Sequence, residues 1–189
     1  FFTPTLKVHP MLKTIALVVV LLLAGLLIYA ATKPDTFRSE RSTRIKAPPE
    51  KVHALINNFN AWAQWSPWEK KDPAMKRTRS GPTDGKGAVY GWEGNKAVGQ
   101  GRMEITESTA PSRVLIQLDF LSPFEAHNIA DFTLKHDGES TQVTWAMYGP
   151  SPYISKLMTT FMSMESMVGP DFEAGLKSLK QLAEKAPAQ

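Results

Sequence analysis

Glu165 is the side chain whose setting in the sequence could do chemistry. It falls inside the apolar stripe of the C-terminal stretch. A carboxylate there loses solvation, its pKa rises, and it can act as a general acid or hold the polar end of a ligand. The plainer reading gives it a cationic partner such as Arg102, or solvent beside a bend in the helix. Tyr90 and Asn95 are polar groups near strands that could orient a ligand. Of the histidines, His127 shares a strand face with Asp131, but i and i+4 on a strand lie about 13 Å apart, too far to share a metal. Both are expected to face solvent, opposite Ala130 and Phe132. Ser66, held between Trp65 and Pro67, lacks the strained turn of a seryl nucleophile. Gly99-x-Gly101 opens a strand rather than a helix, so it is no phosphate loop. The expectation is no metal and no cofactor.

Apolar chemistry has more candidates. Trp62, Trp65 and Trp68 place three of the five tryptophans in seven residues. They read either as core packing or as a wall that touches a ligand, and the two readings overlap where a pocket wall is core. Four of the eight methionines, Met158, Met162, Met164 and Met167, crowd the start of the C-terminal stretch. Methionine suits irregular core gaps and also walls that adapt to their contents. The candidate ligand-contacting set is Trp62, Trp65, Trp68, Tyr90, Trp92, Met103, Phe120, Phe132, Trp145, Met147, Met158, Phe161, Met162 and Glu165.

These residues need elements to position them. Pro152 to Lys185 carries Leu157, Phe161, Met164, Val168, Phe172, Leu176, Leu179 and Leu182 at helical spacing, which predicts one long amphipathic helix, bent or broken near Gly169 by Pro170. Pro48-Pro49-Glu50 opens a short helix with Val52, Leu55, Ile56 and Phe59 on one face. Between the two helices the period is two. Strands are expected at 88–92, 102–107, 113–120, 125–135 and 141–148, punctuated by turn residues such as Asp137-Gly138, after a first strand ending near Ala47. Val143, Trp145 and Met147 share a face, as do Ala130, Phe132 and Leu134, and Leu118 with Phe120. Consecutive antiparallel strands burying one face against a helix give an α+β fold, a curved sheet around the C-terminal helix.

The 189 residues carry a net charge of +4 and no cysteine, which excludes thiol chemistry and disulfides. The densest basic cluster, Lys70, Lys71, Lys76, Arg77 and Arg79, is interrupted by Asp72-Pro73-Ala74 and reads as a solvated loop, so no nucleic-acid partner is expected. Residues 14–32 hold no charge and are nearly all apolar, roughly 28 Å as a helix, close to the hydrocarbon thickness of a bilayer. A retained single-pass anchor is favoured over a cleaved signal peptide, because the apolar run is long and no clean A-x-A site follows. The expected plan is a tail at 1–13, upstream of or around a natural start at Met11, a span at 14–32, a linker at 33–36, one domain at 37–185 and a tail at 186–189. The basic residues after the span favour a cytoplasmic domain by simple counting, but a sizeable domain crosses regardless of charge. The expected location is the outer face of a bacterial-type inner membrane.

The order strand, short helix, meander, long helix, together with Ile45-x-Ala47-Pro48-Pro49-Glu50-x-Val52 and Trp62-x-x-Trp65-Ser66-Pro67-Trp68, resembles the SRPBCC superfamily. This is the START-like, helix-grip group that includes polyketide cyclase/dehydrase-like and lipid-transfer proteins. Gly91-Trp92-Glu93-Gly94-Asn95, Val143-Thr144-Trp145 and Gly169-Pro170-Asp171-Phe172-Glu173-x-Gly175-Leu176 extend the likeness over about 37–184. The resemblance implies a deep apolar cavity between sheet and C-terminal helix. Three functions are weighed on these grounds: a membrane-anchored binder of a lipid or other hydrophobic small molecule, which is favoured; a cyclase/dehydrase-like enzyme without metal or cofactor, with Glu165 as its candidate acid; and an accessory subunit with a protein partner in a membrane complex, against which the polar outer strand faces (Arg102, Glu104, Thr106; Thr144) weigh.

Overall fold

The computed structural model describes residues 10–185, so residues 1–9 of the expected tail at 1–13 and the expected tail at 186–189 lie outside the described residues. The chain divides into two compact units, one of residues 10–35 with 151–162 and the other of 36–150 with 163–185.

The first unit is helical. Its α1 (Pro10–Ala31) has 22 residues, long and apolar enough by length and composition to cross a membrane, and begins four residues before the uncharged run. The second helix of this unit is α5 (Tyr153–Met158). It is held to α1 and the residues after it by the Tyr153 hydroxyl, which donates to the Leu27 carbonyl at 2.9 Å, and by Lys156, which pairs with Asp35 at 2.5 Å.

The second unit is a seven-stranded antiparallel sheet with four helices. In chain order it runs β1 (Thr36–Ile45), α2 (Pro49–Asn57), α3 (Trp62–Trp65), α4 (Pro67–Lys71), β2 (Lys76–Ser80), β3 (Val89–Glu93), β4 (Gln100–Thr109), β5 (Arg113–Ser122), β6 (Ala126–Asp137), β7 (Ser140–Pro150) and α6 (Met164–Ala183). The strand order is β1-β7-β6-β5-β4-β3-β2, the meander expected from the period-two pattern, with β1 returning to close the far edge beside β7. Alternation fixes the faces: Val114 and Ile116, Ala130, Phe132 and Leu134, and Val143, Trp145 and Met147 all point inward and are buried. Phe172, Leu176 and Leu179 of α6 close over them, with Val52 and Ile56 of α2 completing the core. This is a helix-grip fold.

Three expectations change. The long C-terminal helix is two helices, split between Met158 and Met164. Thr159 and Thr160 turn their hydroxyls back onto the Lys156 carbonyl (3.1 and 3.0 Å), and Ser163 then caps α6 by accepting from the Ser166 N–H. Local side-chain bonds of this kind compete with helix propagation and favour a cap. Pro170, by contrast, does not end the helix, since α6 runs continuously through it. Packing of the buried Phe172, Leu176 and Leu179 face outweighs a cost of about 3 kcal/mol for an interior proline. The basic cluster is not a loop: Lys70 and Lys71 end α4, and Lys76, Arg77 and Arg79 lie on edge strand β2. The turn between them is tied by the buried Asp72, whose carboxylate accepts from the Ala74 and Asn95 N–H groups at 3.2 and 2.7 Å.

Candidate functional site

The inner face of the sheet is best described in rows that cross the strands. One row runs Val114, Phe132, Trp145, Arg41, and the next Ala88, Ile105, Ile116, Ala130, Met147, Ser39. Apart from Arg41, every member of these two rows is buried. The following row is Tyr90, Met103, Leu118, Asn128, with Gly149 and Phe37 on the far strands, and the last is Trp92, Gly101, Phe120, Ala126. Burial falls off across these last rows: Leu118, Phe37, Trp92, Phe120 and Ala126 are only half-buried.

The deep rows are filled by aromatic rings. Trp145 is stacked between Phe172 (centroids 4.4 Å apart) and Phe132 (4.8 Å), and Trp65 and Trp68 meet its edges at 5.8 and 5.6 Å. The run Trp62-Ala-Gln-Trp65 makes one helical turn, which sets both indoles on the same side. Their N–H groups reach the Ile56 and Leu55 carbonyls at 2.9 and 3.2 Å, satisfying acceptors at the C-terminal end of α2. Gly175 leaves room for the stack, because a Cβ there would lie 2.8 Å from Trp145 and 3.1 Å from Pro67. The Trp145 indole N–H is buried and has no acceptor among the described residues. Trp62, Trp65, Phe132 and Trp145 of the predicted set thus form a packed centre, and the protein's own rings occupy the deep part of the interior.

The outer rows form a rim that continues this core towards solvent. Trp92 packs edge-on against Phe120 at 5.8 Å, and its N–H donates to the Val98 carbonyl at 2.9 Å, which fixes the ring. Its ring lies where a side chain at Gly101 would be, so that glycine gives it space. Trp68, Leu118, Met164 and Val168 are half-buried against the core, Met103 and Met147 are buried in it, and Leu121 near the end of β5 and Phe124 just beyond it are exposed.

Tyr90 is polar but committed. Its hydroxyl donates to Glu69 at 2.5 Å, and Arg77 bonds the other Glu69 oxygen at 2.7 Å. Burial, then the hydrogen bond and charge of Glu69, push the phenol pKa well up. No sequence signal marks Glu69, since nothing in Trp68-Glu69-Lys70 indicates that the acid turns inward. Asn95 serves a turn: its backbone N–H reaches Asp72 and its side-chain oxygen accepts from the Ala97 N–H at 2.8 Å.

Glu165 is paired rather than isolated. Ser39 donates to one carboxylate oxygen and Arg41 to the other, and Arg41 also holds Glu173 at 2.7 Å. The Glu165 side chain is 48% exposed. The partner is not Arg102, which bonds Glu104 on its own strand at 2.5 Å. Gly169 admits the Arg41 guanidinium, whose Cζ lies 3.1 Å from where a Cβ would sit. Asp131 also departs from expectation: it is buried under a two-pronged Arg113 bond (3.0 and 2.8 Å), whereas His127 is exposed and bonded to Asp119 at 2.8 Å. Met158, Phe161 and Met162 belong to the first unit and are exposed.

Two clefts open in the second unit. One of about 390 Å³ is lined by Lys76, Thr78, Glu93, Gln100 and Arg102, with Gly91 among them. Another of about 230 Å³ lies among Phe59, Arg79, Pro82 and Val89. Among the described residues no group of three His, Cys, Asp or Glu side chains could hold a metal. The arrangement at the rim is suited to contact with an apolar surface, oriented by fixed rings.

Residues 36–184 match the family described as polyketide cyclase / dehydrase and lipid transport. No curated protein matches the chain. Among solved structures, protein CV1439 from Chromobacterium violaceum is similar at TM-score 0.57 and 17% identity, over 82% of this chain and 100% of that one. The Aha1 dimer from Colwellia psychrerythraea is similar at TM-score 0.53 and 17% identity, over 80% and 99%. The di-domain ARO/CYC protein BexL of the BE-7585A biosynthetic pathway is similar at TM-score 0.58 and 14% identity, over 94% of this chain and 59% of that one. These likenesses concern the fold.

Proposed function

The chain belongs to the polyketide cyclase / dehydrase and lipid transport family, and from that premise we propose that it binds a lipid or other hydrophobic small molecule on the inner face of its sheet, held at a membrane by α1. The observation that carries this reading is the half-buried rim of Trp92, Phe120 and Leu118 on the outer rows of the sheet, continuous with the core, against which Trp68 and Val168 are also half-buried. Contiguous apolar surface that reaches a few hundred Å² marks a ligand-binding groove or an interaction site. The ligand therefore lies at the mouth of the fold and against the aromatic centre, rather than in a preformed deep chamber. Met103 stands beside Leu118 in the first of the outer rows and can repack around differently shaped guests. Covering some 300 Å² of apolar surface gives roughly 7 kcal/mol gross, before the cost of association. The anchor raises the domain's effective concentration beside ligands dissolved in the bilayer.

Binding is favoured over turnover because the ionisable groups nearest the inner face are already committed, Glu165 to Arg41 and Tyr90 to Glu69. The test is titration of the detergent-solubilised full chain with a fluorescent fatty-acid probe. Phe120→Lys, which sets a cation in the rim, weakens probe binding at least about tenfold, while Glu139→Lys on the exposed β6–β7 turn leaves it unchanged. Equal affinity in both variants, with unaltered circular dichroism, would remove the rim from the account.

A further inference from the structure

The first unit distributes its side chains the wrong way round for water. In α5 the cation Lys156 is buried at 7% exposure and paired with Asp35, while Tyr153, Ile154 and Met158 face outward. The turn that follows adds Phe161, 77% exposed, and Met162, 57% exposed. A helix meeting water shows the opposite pattern, its charges outside and its apolar stripe inside. Five large apolar side chains exposed within ten residues make a patch that demands a cover.

The attachment of α5 says what the cover is. Tyr153 is bonded to the carbonyl of Leu27, Lys33 to that of Thr159, and the Ser151 N–H to that of Asp35 at 2.7 Å. All of these partners lie at the C-terminal end of α1 or just beyond it. Along that helix, Leu27 stands four residues before Ala31, about 6 Å from the end, in a helix of 22 residues and about 33 Å. Set against a hydrocarbon layer of about 30 Å, the Tyr153 ring falls at the boundary between acyl chains and headgroups, where tyrosine is enriched in membrane proteins. The α1 side chains beside it, Leu27, Ile28 and Tyr29, are themselves exposed, so the apolar surface of α5 continues that of the anchor.

Resting on the reading of α1 as a span, we propose that α5 and the turn at 159–163 form an interfacial foot. They lie in the plane of the bilayer surface with Ile154, Met158, Phe161 and Met162 in the acyl boundary and Lys33 at headgroup level. The occupant of the exposed patch is a phospholipid surface, and the protein touches the membrane twice: once through it and once along it.

The chain has no cysteine, so single labels report cleanly. Nitroxides at Ile154→Cys, Phe161→Cys, Leu21→Cys and Glu139→Cys are read in the full chain, reconstituted in vesicles of phosphatidylcholine and phosphatidylglycerol, by collision with oxygen and with a water-soluble nickel chelate. The expected result is oxygen-dominated collision at 21, 154 and 161, with chelate access several-fold below that at 139. If 21 is lipid-exposed but 154 and 161 meet the chelate freely, the foot is overturned and the anchor stands. Shielding of 154 and 161 from both quenchers means a protein covers the patch, which also overturns it. Chelate access at 21 defeats the anchor and the foot together.

Discussion

Trp145 concentrates the constraints on this fold at a single side chain. It is stacked on both faces and meets three further indoles edge-on, and α6 approaches it closely only because residue 175 has no side chain. Gly175→Ala forces the ring or the helix to shift and is expected to cost about 1–3 kcal/mol, read as a lowered midpoint in urea unfolding. A shift of that kind is not legible in the sequence, where Gly175 is one of twelve glycines with nothing to mark its neighbour across the core. His53 carries a second residue-scale prediction. It is buried on α2, its Nε2 3.4 Å from the Ser108 hydroxyl, and burial lowers its pKa from the ordinary 6.5. A depressed folded-state value means the unfolded chain binds the proton more readily. Its contribution is therefore complete above pH 6.5 and is lost as pH falls through the folded-state value. Urea midpoints measured from pH 7.5 to pH 5 should fall more steeply in the native protein than in His53→Gln, and parallel curves would contradict this.

At the scale of elements, the decisive feature is the interruption between α5 and α6. Ser163 caps α6 through the Ser166 N–H, so Ser163→Ala should destabilise the protein by about 0.5–2 kcal/mol, with no loss if the cap is merely incidental. The periodic apolar residues on either side conceal this break, since Leu157, Phe161 and Met164 keep helical spacing straight through it. The clue that was present, Thr159-Thr160 followed by a serine three positions before another, is a local hydrogen-bonding signal and has no apolar period. Strand β2 was hidden for the opposite reason: Lys-Arg-Thr-Arg-Ser at a sheet edge has no buried face to alternate. By contrast β4 to β7 could be read almost residue by residue, because each has one face in the core and one in water. The pairing of Glu165 with Arg41 joins α6 to β1 across 124 residues of sequence, and spacing carries no information over such a separation.

For the whole molecule, the sequence indicated an apolar helix followed by a helix-grip domain, and rim residues Trp92 and Phe120 stood in the predicted ligand set. What it could not convey was how far the protein's own rings fill the interior, since a residue type that lines a pocket also fills one. The binding function turns on where a hydrophobic guest sits. Photo-crosslinking the full chain in vesicles with a diazirine-bearing fatty acid, followed by peptide mapping, measures this directly. Adducts are expected on the β3 and β5 peptides containing Trp92, Leu118 and Phe120, lost when unlabelled lipid competes. Adducts confined to α1 and α5, with none on the sheet, would contradict that placement.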